Sequence, residues 1–285
     1  GRLSADCERE KAKFGGTYAQ TIGGDIIVDC IFGTGLSREV TGEYADVINA
    51  INASGAYVIS ADIPSGMSGD GGLKLGVAVR ADKTVTIGEL KTGFALGDGY
   101  DLCGAVVKKD IGICLNEGGY ACMYGDEDIA KLFPPRPRNS HKGTFGTATL
   151  ICGSRQYTGS AVLAVAAALR SGCGYVKAVC PDEVKAAIAP NYPQTVFSVQ
   201  RDLSSRAIAI GMGCGASQSL HGDIEGLLNE YSGTLIIDAD GLNSLAQYGV
   251  EILKNKKCGV VLTPHVKEFS RISGRSIAEI LANPV

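Results

Sequence analysis

The chain has 285 residues, 45% of them apolar and 20% charged, and a formal net charge of −3 at pH 7. That length and composition suit a globular protein of two ordinary domains. The charge offers no electrostatic case for nucleic acid or an anionic membrane, no apolar run reaches the roughly 18 residues that span a bilayer, and no secretory signal is visible.

Ten cysteines form no C-x-x-C pair, and Cys30, Cys152 and Cys180 sit inside or beside strand-like runs. Buried, reduced thiols are expected in preference to disulfides or zinc, and a cytoplasmic protein follows. Thirty-nine glycines and no tryptophan suit many tight strand-to-helix turns around small ligands.

Two segments, GDIIVDCIFGTGL (24–36) and YVISADIPSGM (57–67), are apolar runs that reach Asp29 and Asp62 and then a glycine-containing turn. Strands are predicted over 25–31 and Tyr57–Ala61, with a helix over 40–53 between them. Parallel strands joined by a crossover helix point the same way, so both carboxylates reach one carboxyl edge of the sheet. Open α/β folds bind ligands at that edge. Two like charges there require a cation, a polar substrate or a shared proton between them.

After Asp29 comes Gly33-Thr34-Gly35-Leu36-Ser37-Arg38. Its glycines allow positive φ and close backbone approach to phosphate or ribose oxygens, or serve a plain strand-to-helix turn. In Asp62-Ile63-Pro64-Ser65-Gly66, Ser65 sets a hydroxyl and a carbonyl beside the carboxylate, an oxygen set suited to a hard cation. The alternative is an Asx-type turn that caps the strand. Further strands are predicted over Lys83–Ile87 and 104–110. Lys91, after the third strand, answers a phosphate or is solvated, and Asp110-Ile111-Gly112-Ile113 closes the unit as structure.

The chain divides near residue 125, at MYGDEDIAKLFPPRPRNSHKG, a short helix followed by a proline-rich linker. A second α/β alternation then begins. Strands are predicted over 148–152, 175–180, Ala207–Ile210, 234–238 and 259–263, and helices over 160–171 and 220–231. Thr158 and Ser160 are candidate caps of the first of these helices, whose free amides favour an anion. The strand AIAI runs into Gly211-Met212-Gly213-Cys214-Gly215, a backbone-lined cradle if a helix follows it. TLIIDAD places Asp238 and Asp240 at a strand end. VVLTPH places His265 there, read as functional in preference to a hydrogen-bonded structural group. There is no Gly-Lys-Ser/Thr loop and no nucleophile elbow, so P-loop and hydrolase readings fail.

The motifs VDCIFGTGL, SADIPSGM, ADKTVTIGELKTGF and VVKKDIGI resemble the latter half of an NAD(P)H-hydrate epimerase domain. HKGTFG, GSRQYTGSAVLA, GMGCG, DADGLN and LTPH resemble the front portion of the ribokinase-like NAD(P)H-hydrate dehydratase. Their order is that of the bifunctional NAD(P)H-hydrate repair family. The resemblance implies a Rossmann-like α/β epimerase unit over 1–120, a linker over 121–139 and a ribokinase-like α/β unit over 140–285, both with mainly parallel sheets. It implies epimerisation of R and S hydrates of NADH and NADPH, and dehydration of the S hydrate with ADP or ATP (magnesium-dependent) as phosphoryl donor.

By motif, Asp29 and Ser65 resemble potassium ligands, and Asp62 resembles a catalytic and hydrate-binding residue. Gly33, Thr34, Gly35, Leu36, Ser37 and Arg38, and in the second unit Ala161, Gly213, Gly215 and His265, resemble hydrate contacts. The partners implied are NAD(P)H hydrates and adenine nucleotide, with a homo-oligomer as the assembly. After His265 the family pattern has Pro-Gly-Glu where this chain has Val266-Lys267-Glu268. The family's Asn/Gly-rich loop before the first strand and its late Gly-rich loop are not among these residues, so each unit is expected to be partial. A ribokinase-like small-molecule kinase and a non-catalytic nucleotide-binding protein are the alternatives.

Overall fold

The computed structural model describes residues 5–19, 21–112, 122–133 and 135–282. Ile113 of the closing turn, Pro134 of the linker and the end of the C-terminal segment, 283–285, lie outside the described residues. The chain forms two compact units, Gly1–Met123 with Ala282–Val285, and Tyr124–Leu281. Each is built on a wholly parallel sheet. No described helix is long and apolar enough to cross a membrane.

In the first unit the order is α1 (Ala5–Lys13), β1 (Ile26–Asp29), α2 (Glu43–Ala53), β2 (Tyr57–Ala61), β3 (Lys83–Ile87), α3 (Gly99–Leu102) and β4 (Ala105–Lys109). The strands lie side by side in chain order. The register sets Asp29 opposite Ser60 and Ala61 opposite Val85, so the loops leaving β1, β2 and β3 share one edge. α2 begins later than the predicted 40–53. Val40 N bonds Leu75 O at 2.9 Å and Gly42 takes a φ of 61°, which ties the chain to another loop before a helix can start. Helix α1 was not predicted. It buries no residue, so it carries no apolar period to read, and Asp6–Arg9 and Glu10–Lys13 pairs run along it.

Two apolar clusters sit beneath the loops. Ile48 and Ile51 of α2 pack with Val58 and Val79, and Ile63 and Met67 pack with Ala78, Leu102 and Cys103. Ile63 and Met67 flank Ser65, and burying each stabilises the fold by about 1.5–3 kcal/mol. The turn that presents Ser65 is therefore clamped from both sides.

The second unit runs α4 (Asp126–Leu132), β5 (Thr147–Ile151), α5 (Thr158–Arg170), β6 (Tyr175–Val179), α6 (Asp182–Ile188), β7 (Val196–Ser198), β8 (Ala207–Ile210), α7 (Gln218–Glu230), β9 (Thr234–Ile237), α8 (Asp240–Tyr248), β10 (Gly259–Leu262), α9 (Val266–Ser273) and α10 (Ile277–Ala282). The strand order is β10-β9-β8-β5-β6-β7. From β5 the chain winds outward through β6 and β7, then returns to lay β8 on the other side of β5. The reversal between β5 and β8 is a topological switch point, where loops diverge and leave a crevice.

Val165 of α5 and Val184 and Ile188 of α6 pack with Leu150, Val176 and Ala178 of the sheet. Ile224, Leu227 and Leu228 of α7 and Leu242 and Leu245 of α8 pack with Ile208, Ile210, Leu235 and Ile237. Part of the proline-rich segment is pinned to this unit. The Arg136 guanidinium lies 4.1 Å from the Phe145 ring centroid and donates to the Gly172 carbonyl at 2.6 Å.

Candidate functional site

Asp29 ends β1 and is 1% exposed. Its Oδ2 accepts the Ser60 hydroxyl and the Ser65 amide, both at 2.8 Å, and its Oδ1 accepts the Ser65 hydroxyl at 2.6 Å and the Ile31 amide at 3.3 Å. Four donors match the lone-pair capacity of one carboxylate. The Phe32 amide donates to Ser65 Oγ at 2.8 Å, and the Phe32 carbonyl lies 3.2 Å from that hydroxyl. Asp29 and Ser65 are thus joined as the motif suggests, with β1, β2 and the following turn stapled through one buried acid.

Asp62 has a different environment. It follows β2 with a φ of 68°, a left-handed conformation that disfavours any residue with a Cβ. Its Oδ1 is in contact with Lys91 Nζ and accepts the Ile87 amide at 3.1 Å, with Thr86 Oγ1 at 3.4 Å. Partial burial pushes the carboxyl pKa up. The Lys91 hydrogen bond, the Ile87 amide and the Lys91 charge outweigh it and hold the group below the ordinary carboxylate range. A cation, a polar substrate or a shared proton was expected between Asp29 and Asp62; each acid in fact has its own protein donors, so the fold does not require one. Lys91, read as a phosphate contact or a solvated loop residue, is instead the partner of Asp62. Both residues leave the carboxyl ends of neighbouring strands, a proximity created by the strand order.

The loop Gly33–Arg38 is open. Gly33, Thr34, Gly35, Ser37 and Arg38 are exposed and Leu36 is half-buried. Neither Gly33 nor Gly35 has a positive φ, and a Cβ on either would meet nothing within 4 Å. Their predicted conformational role is corrected on that ground; the fold does not need glycine there, and the space beside them is free. Gly66 is the opposite case. Its φ is 92°, and a Cβ would stand 2.0 Å from the Val77 carbonyl oxygen.

In the second unit the loops after β5 and β8 meet at the switch point, where the Gly153 amide donates to the Met212 carbonyl at 2.8 Å. Gly213 (φ 68°) lies against α5, where a Cβ would come within 2.8 Å of Ser160 Oγ. Gly215 has nothing within 4 Å, so the cradle is packed at one glycine and open at the other. Thr158 and Ser160 do not cap α5; the cap position is Tyr157, which makes no side-chain cap bond. α7 is capped by Ser217, which accepts the Leu220 amide at 3.1 Å. Ala161 is fully buried in the α5 core, so its methyl spaces α5 from the Gly153 loop and offers no side-chain contact to solvent.

Asp238 accepts the Thr263 hydroxyl at 2.9 Å, and Asp240 accepts the Gly215 amide at 2.8 Å. Between them Ala239 takes a φ of 48°. His265 caps α9. Its Nδ1 accepts the amides of Lys267 and Glu268 at 3.1 and 3.4 Å, while its own amide donates to Glu268 Oε2 at 3.0 Å. Glu268 closes this capping box in spite of the Val-Lys departure before it.

Cys30, Cys103, Cys122, Cys152, Cys173, Cys180, Cys214 and Cys258 carry free thiols. Cys152 is buried, and burial, with Cys180 and Cys214 nearby, pushes its thiol up to about 12. Burial likewise pushes Cys214 up to about 11. Both are neutral packing groups. Cys30 is exposed just beyond β1, which corrects its placement among the buried thiols; the strand ends at Asp29, two residues sooner than predicted.

Residues 148–283 match the family model described as NAD(P)H-hydrate dehydratase, and residues 3–93 match that described as YjeF-related protein N-terminus. A protein of Thermofilum pendens named bifunctional NAD(P)H-hydrate repair enzyme is 36% identical over 281 residues, covering 92% of this chain and 53% of that protein. One of the same name from Synechocystis is 35% identical over 269 residues, covering 87% and 51%. Among solved structures, the ADP/ATP-dependent NAD(P)H-hydrate dehydratase from Bacillus subtilis, co-crystallised with ATP and Mg2+, is 31% identical with a TM-score of 0.49, covering 55% of this chain and 58% of that one. The chain spans about half the length of the curated relatives it matches. The two family models lie in tandem on one polypeptide, the arrangement that makes the chain similar to the bifunctional NAD(P)H-hydrate repair proteins.

Proposed function

We propose that the first unit contributes to epimerisation of NAD(P)H hydrates and the second to nucleotide-dependent dehydration of the S hydrate. The observation that carries the epimerase reading is Asp62, a carboxylate held in a strained backbone at the β2 end. An ionised acceptor suits removal of the hydroxyl proton as the bond between that carbon and the ring nitrogen breaks to leave a carbonyl; the nitrogen then re-adds to either face and the proton returns to the oxygen. The open loop from Gly33 to Arg38 supplies amides and the Arg38 charge for the dinucleotide. In the second unit, the backbone of Gly213, Gly215 and the first turn of α5 about Ala161 is proposed to meet the hydrate at the switch point, since the Ala161 side chain is buried. His265 stands beyond β10, two strands from β8 in the same sheet. Adenine nucleotide, with magnesium, is the proposed phosphoryl donor, and the phosphorylated ring hydroxyl would leave as phosphate.

A potassium ion is proposed at Asp29 and Ser65. Asp29 Oδ1, Ser65 Oγ and the Phe32 carbonyl are all hard oxygens gathered about one hydroxyl, and the ion would take the place of one of the hydrogen bonds that fill the Asp29 carboxylate. Bound there, the ion would add positive charge near the hydrate phosphates. Asp29 is already satisfied by protein donors, so its folding does not depend on the ion. A homo-oligomer in the reducing cytoplasm completes the proposal; free thiols at Cys30, Cys103, Cys152, Cys180, Cys214 and Cys258 support the reducing setting.

The test is to incubate the chain with the separated R and S hydrates of NADPH, with and without ADP or ATP. Interconversion is followed chromatographically and recovery by the NADPH absorbance band. Interconversion and nucleotide-dependent recovery support the two assignments separately. Thermal stabilisation by hydrate and nucleotide without turnover replaces them with a binding role, and phosphorylation of other small alcohols in preference to hydrates replaces the second with a kinase.

A further inference from the structure

Lys91 takes no part in the chemistry above, yet its surroundings are those of a placed residue. Its ammonium contacts Asp62 Oδ1 and donates to Thr86 Oγ1 and the Ile87 carbonyl, each at 2.9 Å. Three acceptors use all three donors of an ammonium, and the side chain is 18% exposed. The neighbouring acid, Glu89, is engaged by Lys108 at 3.1 Å and does not compete. All three acceptors lie at the ends of β2 and β3, so the lysine bridges two strands at the ligand edge.

Asp62 needs such a partner. A residue with a Cβ keeps a left-handed backbone only where its surroundings over-determine it. Here the Asp62 amide donates to the Val85 carbonyl at 2.9 Å, and the carboxylate is drawn back to β3 by Ile87, Thr86 and Lys91. The lysine stem also borders the open loop. A Cβ placed on Gly69 would stand 3.4 Å from Thr34 Cγ2 and 3.8 Å from Lys91 Cγ, so Thr34 and Lys91 line the same space.

We propose that Lys91 is the positioning residue of the epimerase site, holding the Asp62 carboxylate and its strained backbone in the one orientation that serves the hydrate. The proposal rests on the epimerase reading of the first unit. Lys91 acts through Asp62 and forms no bond to substrate; a charged ammonium with its donors occupied is not a nucleophile.

A double-mutant cycle tests it, with Lys91→Met, Lys91→Arg, Asp62→Asn and the double variant Asp62→Asn/Lys91→Met in the whole chain. Hydrate interconversion and the urea midpoint are both measured. The expected result is a loss of kcat in Lys91→Met of about tenfold or more with KM within about twofold, in the range typical of a mispositioned proton acceptor. Lys91→Arg, which keeps the charge, should recover to within about threefold of the parent, and the double variant should be no worse than Asp62→Asn alone. Losses that multiply in the double variant would place Lys91 on the substrate independently and overturn the proposal. So would a Lys91→Met chain with a lowered urea midpoint and unchanged kcat. If the parent chain turns over neither hydrate, the epimerase reading fails by itself. The urea midpoints then decide the pair, with non-additive shifts supporting positioning and additive shifts overturning it.

Discussion

The Asp240 carboxylate accepts the Gly215 amide at 2.8 Å across 25 positions of sequence. The first turn of α8 therefore fixes the open end of the glycine cradle that follows β8. The Asn243 amide group lies 3.5 Å from the other oxygen of the same carboxylate, and Arg271 donates to Asn243 at 2.6 Å, so α8 and α9 both bear on the cradle. Asp240→Ala is expected to cost about 1–2 kcal/mol of stability, the usual worth of a charge-assisted bond at a partly exposed site. Binding of the S hydrate should weaken by about tenfold, because Gly215, beside open space, loses the bond that holds it in place. Urea denaturation and calorimetric titration with the hydrate measure the two effects.

Asp29 should behave as structure before it behaves as a ligand. Asp29→Ala strands the Ser60 hydroxyl and the Ser65 and Ile31 amides beside a cavity, and is expected to cost about 3 kcal/mol or more. Ser65→Ala removes one hydroxyl and should cost about 1–2 kcal/mol. If potassium occupies the site, the parent chain melts higher in KCl than in NaCl of equal ionic strength, and the gap narrows in Ser65→Ala. Differential scanning calorimetry in the two salts separates the contributions.

Glycine substitutions sort the fold's requirements from the ligand's. Gly66→Ala drives a methyl into the Val77 carbonyl at a φ of 92° and is expected to cost about 3 kcal/mol or more. Gly33→Ala and Gly35→Ala meet open space at ordinary φ and should change stability by no more than about 0.5–1 kcal/mol. Hydrate binding should nevertheless fall about fivefold or more in both, since an added methyl occupies the face offered to the dinucleotide. A chain that binds hydrate equally well with alanine at both positions would remove this loop from the site.

These contrasts show what was legible in the sequence and what was not. The strands Tyr57–Ala61, Lys83–Ile87 and Ala207–Ile210 could be read directly, because apolar alternation bounded by Gly, Pro and Asp turns survives without tertiary context. α6 and α8 could not, since their short runs DEVKAAI and DGLNSLAQY sit next to strand ends and read as loop chemistry. The pairing of Asp29 with Ser65 was implied by motif, but its four-donor satisfaction depends on the β1–β2 register. The Lys91–Asp62 contact was missed for the same reason, as nothing in the intervening sequence reports which strands are neighbours. The switch point between β5 and β8 likewise belongs to strand order, which GMGCG alone does not carry.

Acid should loosen the second unit through Asp202. The hydrogen bond from Lys177, at 2.5 Å, and that from the Ser204 hydroxyl lower its carboxyl pKa to about 2. A folded-state pKa below the unfolded value of about 3.9 means the contribution is fully present above pH 4 and is lost as pH falls through 4 toward 2. Asp62 shifts in the same direction in the first unit. Lys177→Met should bring the Asp202 midpoint back toward its ordinary value and flatten the acid limb of the stability curve. Circular dichroism at a series of urea concentrations between pH 2 and pH 6 measures that slope.

His265 separates two roles by a choice of substitution. As the N-cap of α9 it accepts two amides through Nδ1, and His265→Ala should therefore cost about 1 kcal/mol. Asparagine is a good N-cap with an acceptor oxygen at similar reach, so His265→Asn is expected to restore the stability to within about 0.5 kcal/mol. It cannot restore the imidazole Nε2, which projects from the cap with a side chain 62% exposed. If His265 contacts the hydrate, His265→Asn folds as the parent does but binds the S hydrate about tenfold more weakly, the loss expected when one hydrogen bond to a bound ligand is removed. Equal affinity in the asparagine variant, measured by calorimetry alongside urea unfolding, would reduce the histidine to a helix cap. Glu268 sharpens the comparison, since its carboxylate lies 3.3 Å from Nε2 and its Oε2 takes the His265 amide. Glu268→Gln should preserve the capping box while removing the charge beside Nε2, so a loss of hydrate affinity in that variant without a loss of stability would tie the contact to the ring itself.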